Sequence, residues 1–285
     1  MKRKLVKQGN NALTLTLPKK WLDKYNLKPG NVVFIKDIEN ELIIAAKPVN
    51  TQKKETIDLD KYKDIIPKYI HSLYRQGVTE IIVKFSDLNL LNIVQKTISE
   101  NIIGYEIIEQ EKNKAIIRNI AEINEGNFDQ TFRRLFRINE SMFNSIDDIK
   151  SLIHLESTNN KLSNYCRRYI SNKLYEGQLA LLTYLVVETQ ERLADEILFL
   201  VKLSKDLTNI EKEYITKANK FYKLCHEIYY SQDPHKLSSS AIKYKNTIAE
   251  LLNSKCSETV KHYLSNIFYY IGLILSYKLQ LLFVK

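Results

Sequence analysis

From Phe128 to Phe283 apolar residues recur at three- and four-residue intervals almost without a break, the spacing that lays one side of a helix against a core. Six helices are expected, at about Phe128–Leu152, Ser157–Leu174, Gln178–Leu203, Ile210–Tyr230, Lys236–Leu252 and Ser257–Phe283. Thr208-x-x-Glu211 has the form of a capping box at the fourth start, and Asp233-Pro234 breaks the chain before the fifth. Short connections between six helices predict a pair of three-helix bundles. Seven Gly and five Pro in 285 residues are too few for a turn-rich β-sandwich, and 44% hydrophobic residues are ample for a core in two or three folded units.

Two shorter units precede the helices. Leu13-Thr-Leu-Thr-Leu17 alternates strictly, which places the leucines on one face of a strand and the threonines on the other. Pro18 ends it and suits the start of a short helix over Lys19–Tyr25. Lys28-Pro-Gly-Asn31 is a turn signal, after which Val32–Ile35 and Glu41–Ala45 read as strands. About 47 residues with one short helix bury too little apolar surface alone, so an obligate dimer is expected. From Glu55 to about Ile120 the pattern is that of a small α/β unit: a strand at Thr56–Leu59, a helix at Asp60–Gln76, a strand at Glu80–Phe85, a helix at Leu88–Glu100, and strands at Ile103–Glu109 and Lys114–Ile120. That unit has no Gly-rich phosphate loop, and its lone helical His71 has no neighbour in sequence with which to do chemistry. Such a unit suits a spacer, a dimerisation surface or a small effector-binding module.

Charge is concentrated at the start. Lys2, Arg3, Lys4, Lys7, Lys19, Lys20, Lys24, Lys28, Lys36 and Lys47 face only Asp23, Asp37, Glu39 and Glu41, so this segment holds +6 of a net +10. A small basic module on a nearly balanced body is the footprint of nucleic-acid binding, with a merely solubilising surface as the alternative. The local residues favour the first. Lys7-Gln-Gly9-Asn10-Asn11, the alternating strand, Leu17-Pro18-Lys19 and Leu27-Lys-Pro-Gly30-Asn31-Val-Val together resemble the AbrB/MazE swapped-hairpin DNA-binding domain. The resemblance implies two chains with interleaved hairpins gripping double-stranded DNA. Its contacts would come from Lys2, Arg3, Lys4 and Lys7 on the first strand, Asn10 and Asn11 in the loop, and Lys19 and Lys20 after the proline. The cations would position the module on phosphates, and the asparagine amides could reach base edges.

In the third long helix, Leu179, Leu182, Val186, Leu193, Ile197 and Leu200 form the apolar stripe, while Glu188, Glu191 and Asp195 follow one another at steps of three and four near the opposite side. Three carboxylates on one line suit an oxygen-ligated cation or an ordinary solvated stripe paired with Arg192 and nearby lysines. Glu188-Thr-Gln-Glu191-Arg-Leu-Ala-Asp195, with Leu182-Thr-Tyr-Leu before it and the helix holding Asn160-Lys-Leu-Ser-Asn-Tyr-Cys-Arg167, resembles the E-x-x-x-D helix of the PhoU family. That resemblance covers about Phe128–Leu279 and implies regulation of phosphate uptake and a divalent or iron-type metal ion held by Glu188, Glu191 and Asp195. The last helix reads Phe268-Tyr-Tyr-Ile-Gly-Leu-Ile274, with no carboxylate for a second such site.

The chain is thus read as a multidomain α+β protein: a swapped-hairpin β domain at 1–48, an α/β linker domain at 49–124 and a PhoU-like all-α domain at 125–285, an arrangement that resembles archaeal PhoU-type regulators. A dimeric, DNA-binding transcription regulator of phosphate homeostasis follows. The alternative is a signalling adaptor that docks a phosphate transporter or sensor protein through its apolar last helix and uses the head mainly to dimerise. An antitoxin reading follows from the head alone. Cys166, Cys225 and Cys256 form no metal or disulfide pattern and read as reduced thiols of a cytoplasmic protein. Tyr263–Val284 is interrupted by Asn266, Lys278 and Gln280 and is expected to be buried or covered by a partner, not to span a membrane. No ordering of nucleophile, base and orienting group suggests an enzyme.

Overall fold

A computed structural model describes residues 2–9, 12–38, 41–46, 53–121, 125–172, 177–204, 206–231 and 244–284. They make a multidomain α+β protein of two compact units, Met1–Gln52 and Lys53–Lys285.

In the first unit, the head, β1 (Val6–Gln8) pairs antiparallel with β2 (Ala12–Thr14), and β3 (Phe34–Ile38) with β4 (Glu41–Ala45). Between the hairpins lies α1 (Lys19–Lys24), entered through Pro18 with φ −64°. It is closed by Asn26 in the left-handed region, with Leu27 N–H donating back to Leu22 O at 2.9 Å. The strand expected over Leu13–Leu17 stops at Thr14, because β1 offers it only three residues to pair with. The strand expected over Val32–Ile35 begins two residues later, at Phe34.

The second unit opens with a four-stranded sheet in the order β5-β6-β8-β7, from β5 (Lys54–Asp58), β6 (Glu80–Lys84), β7 (Tyr105–Gln110) and β8 (Lys114–Asn119). Only the β5/β6 pair is parallel. Its register aligns Ile57 with Val83, Ile81 with Ile117 and Val83 with Ala115, so these residues share the face that packs into the core with α2 (Ile66–Arg75) and α3 (Leu88–Asn101). The single helix expected from Asp60 to Gln76 is a 3₁₀ segment over Leu59–Ile65 followed by α2. Pro67, in the first turn of α2, has no N–H to continue a helix through that point.

The helical part comprises α4 (Glu125–Asn144), α5 (Ile149–Asn172), α6 (Gly177–Leu203), α7 (Asn209–Tyr230), α8 (described over 244–252) and α9 (Glu258–Leu281). The break between α4 and α5 falls at 145–148 and not near residue 155. Asp148 fixes it, accepting hydrogen bonds from the Lys150 and Ser151 amides and the Ser151 hydroxyl at 3.1, 3.2 and 2.6 Å. Helix α6 touches α4, α5 and α9, and one apolar core runs from Phe128 to Leu275 through all of them. At its centre Asn139, Asn159, Gln190 and Tyr222, all fully buried, are hydrogen-bonded to one another and tie α4, α5, α6 and α7 together. The apolar side of α9 is spent in the same core through Val260, Leu264, Ile267, Phe268 and Ile271. Among the described residues no helix is long and apolar enough to cross a membrane.

The α/β and helical segments have separate cores but meet along one side of α5. There Lys161, Asn164 and Arg168, at steps of three and four, reach the carboxyl-terminal carbonyls of the two α/β helices. Lys161 donates to Ser99 O at 2.9 Å and Asn164 to Asn101 O at 3.0 Å. Arg168 donates from one nitrogen to both Tyr74 O and Val78 O, at 2.7 and 2.9 Å, while its guanidinium lies 4.7 Å over the Tyr74 ring and 5.4 Å over that of Tyr105. Val78 lies just past the end of α2, and its carbonyl also accepts from the Tyr105 hydroxyl, as Tyr74 O does from the Gly77 amide; a cation at a helix carboxyl terminus meets the favourable pole of the helix dipole. Gly77, at φ +81°, makes the turn after α2 in a conformation that strains any other residue, and an added Cβ would displace the Asn172 side-chain amide.

Candidate nucleic-acid interface

Sequence reasoning assigns the interface to eight residues of the head. Lys2, Arg3 and Lys4 precede β1, Lys7 lies within it, and Lys19 and Lys20 form the first turn of α1. Asn10 and Asn11 lie outside the described residues. All six cations are exposed, and none has an ion-pair partner among the described residues. Lys19 and Lys20 sit at the pole of the helix dipole that repels cations, so they contribute nothing to the stability of α1 and are free to meet an anion. The hairpin register pairs Lys7 with Leu13 and Val6 with Thr14, which puts Lys7 on the leucine side of the ribbon, beside apolar residues.

No described residue of the head is buried. Leu5, Leu13, Val32, Ile35 and Leu42 are each more than half exposed. The alternation that defines the strands therefore prepares a face without supplying what covers it. Such an apolar surface on so small a unit belongs to an association face.

The second set of candidate residues lies in the other unit. Arg167, 1% exposed, projects from α5 and pairs with Glu188 of α6 at 2.6 Å and with Glu191. Arg192 pairs with Glu188 from the solvent side at 3.0 Å. Asp195, one turn on, is hydrogen-bonded to Glu156 of α5; burial, and then the charges of Glu191 and Glu156, push its pKa up to about 7. These carboxylates do not fit a metal as they stand. The cation between Glu188 and Glu191 is a guanidinium, and among the described residues no three His, Cys, Asp or Glu side chains are grouped to hold a metal ion. The structure thus brings Glu188 and Glu191 together on Arg167, a partner that spacing along α6 could not reveal, and turns Asp195 to Glu156 instead.

Residues 6–54 match the family model described as "Antidote-toxin recognition MazE, bacterial antitoxin". The head is a MazE/AbrB-like module, and the match falls on the segment that carries the uncovered apolar face and, with the residues just before it, the six cations. A MazE-like module suggests a DNA-binding or antitoxin-type regulator, and it is consistent with dimerisation. No curated protein and no solved structure gives a significant match to the chain.

Arg75, Arg167 and Arg168 have no place as interacting residues when the sequence is read alone. One signal points to them: Arg167-Arg168 stands mid-helix between Tyr165-Cys166 and Tyr169-Ile170, where apolar and aromatic neighbours crowd every side of that turn of α5. Paired arginines in such a setting need acceptors from neighbouring elements.

Proposed function

We propose that the protein is a dimeric DNA-binding transcription regulator whose MazE-like modules close on each other through their apolar faces and present Lys2, Arg3, Lys4, Lys7, Lys19 and Lys20 to the phosphates of a duplex. The observation that carries this reading is the coincidence, in one small module, of six unpaired exposed cations with a complete lack of buried residues among those described. The helical half serves as the sensing or docking part. A connection with phosphate homeostasis rests on the resemblance of Phe128–Leu279 to PhoU alone, and a metal at Glu188, Glu191 and Asp195 is not part of the proposal. Docking of a transporter through α9 loses its motive, because the apolar side of that helix already packs against α6 and α7.

An antitoxin role is the second reading, and the wording of the matched family favours it. Titration of the full-length protein onto duplex DNA from its own upstream region and onto unrelated duplex, across a salt series, tests the first. A regulator binds its own region preferentially. In Lys19→Ala/Lys20→Ala the affinity drops on both duplexes, and the log–log salt slope becomes shallower by about one for each lysine withdrawn from a phosphate. Absence of binding at low salt by a folded dimer would leave the module as an association device and shift the search to a protein partner.

A further inference from the structure

A cleft of about 480 Å³ opens where α2 meets the α5/α6 pair, lined by Lys53, Lys68, Ser72, Arg75, Gln76, Ser171 and Tyr184. Its lining contains three cations and no carboxylate. Lys68, Ser72 and Arg75 follow at steps of four and three along α2, so one helix face presents an ammonium, a hydroxyl and a guanidinium to the same space, and Gln76 adds an amide from the cap. Lys53 approaches from the start of the unit and donates to Gln76 O at 2.8 Å, which neutralises the negative pole at the end of α2.

The charge in this cleft is uncompensated. Arg75 is oriented by Asn164, which accepts from its Nε at 2.7 Å, and neither it nor Lys53 nor Lys68 has an ion-pair partner among the described residues. The acids whose charge reaches Arg75, Glu191 and Glu188, are engaged by Arg167. Arg167 lies behind the cleft wall, its guanidinium 6.0 Å from the Tyr184 ring, and its Nε and Nη1 have no acceptor among the described residues. His71, one residue before Ser72, is held neutral with a pKa of about 4 by burial and then by the charges of Arg75 and Arg167. Positive charge therefore gathers around the cleft with no carboxylate in its lining, a setting that favours an anion.

We infer that this cleft is a binding site for a small molecule bearing a phosphoryl group, free or carried on a compact metabolite. A tetrahedral dianion carries several acceptor oxygens and two negative charges, a closer match to a lining of one guanidinium, two ammoniums and the Ser72 hydroxyl than a monovalent anion makes. The volume exceeds what a bare oxyanion fills, and the Tyr184 ring gives a flat apolar wall for an attached organic group. Every lining residue belongs to the unit Lys53–Lys285, so the inference stands apart from the DNA-binding reading.

Calorimetric titration of the full-length protein with inorganic phosphate, and separately with adenosine monophosphate, at constant ionic strength tests it. Saturable binding of one ligand per chain is expected, and the tighter probe tells whether the phosphoryl group is recognised free or attached. Lys68→Gln and Arg75→Gln should each weaken it by about tenfold or more, as expected when one charge-assisted hydrogen bond is removed. Lys68 is exposed, so its variant keeps the test meaningful if the Arg75 variant melts early. In Lys19→Ala/Lys20→Ala binding should be unchanged. No saturable heat with either probe, parental affinity in both cleft variants, or loss of binding in the head variant would each overturn the assignment.

Discussion

At the scale of single residues, Arg168 carries the junction between the α/β and helical segments. It is 3% exposed, donates to one carbonyl in the last turn of α2 and to another just beyond it, and lies over two tyrosine rings. Arg168→Met should lower the unfolding free energy by about 2 kcal/mol, since hydrogen bonds from a charged donor contribute more than neutral ones and the two carbonyls keep only the Gly77 amide and the Tyr105 hydroxyl as donors. A shift of the urea midpoint with unchanged slope measures it. Arg168→Lys should recover less than half, because an ammonium cannot lie flat between Tyr74 and Tyr105 while reaching both carbonyls. None of this is legible locally: Tyr74 and Val78 lie 94 and 90 positions away in sequence. The six cations of the head are legible, because exposure and charge need no partner to be recognised.

At the scale of elements, one carboxylate starts two helices. Glu211 accepts from the amide and hydroxyl of Thr208, at the start of α7, and from those of Ser257, at the start of α9, all within 2.9 Å. Burial works against its ionisation, but the hydrogen bonds from Ser257 and Thr208 outweigh it and hold its pKa at about 2. Its contribution is therefore complete above the ordinary carboxylate range near pH 4.5 and fades as pH falls toward 2. Glu211→Gln should cost about 2 kcal/mol at pH 7, two helix caps being weakened together, and that difference should shrink steadily in melts taken between pH 4.5 and 2. Asp195 has the opposite sign. With its pKa raised to about 7, the folded chain favours the protonated acid; that stabilisation is full below about pH 4 and lost as pH rises to 7. Asp195→Asn should accordingly melt higher than the parent at pH 8 and equal it at pH 4; a parent that is the more stable at pH 8 would contradict the raised pKa of Asp195. Helix periodicity discloses the capping box and the line through Asp195, since both are set within one helix. It places Ser257 at a helix start but misses its bond to Glu211, and it misses Glu156, since other helices bring these partners up; it overruns the α4/α5 break because Asp148 and Ser151 interrupt the backbone without interrupting the apolar spacing.

At the scale of the whole molecule, the two units differ in how they acquire an interior. Lys53–Lys285 buries two cores of its own, whereas no described residue of the head is buried. Trp21, the only tryptophan, lies in the head on α1, 5.5 Å from Tyr25, so its fluorescence reports that unit alone. On dilution the thermal transition seen by Trp21 should move to lower temperature, while the far-ultraviolet signal of the long helices stays in place. A Trp21 midpoint independent of concentration would mean that the head folds by itself. The alternating leucines make this dependence readable in advance, because a strand with one apolar face declares that something must cover it; the register that sets Lys7 beside Leu13 is not readable, since it comes from the hairpin and not from either strand. An uncovered head also has a genetic meaning. The DNA-competent species would form in proportion to the square of the chain concentration, so modest changes in expression would be read out steeply at an operator. A copy with intact leucines and neutralised lysines would pair with normal chains and silence them, acting as a dominant-negative allele.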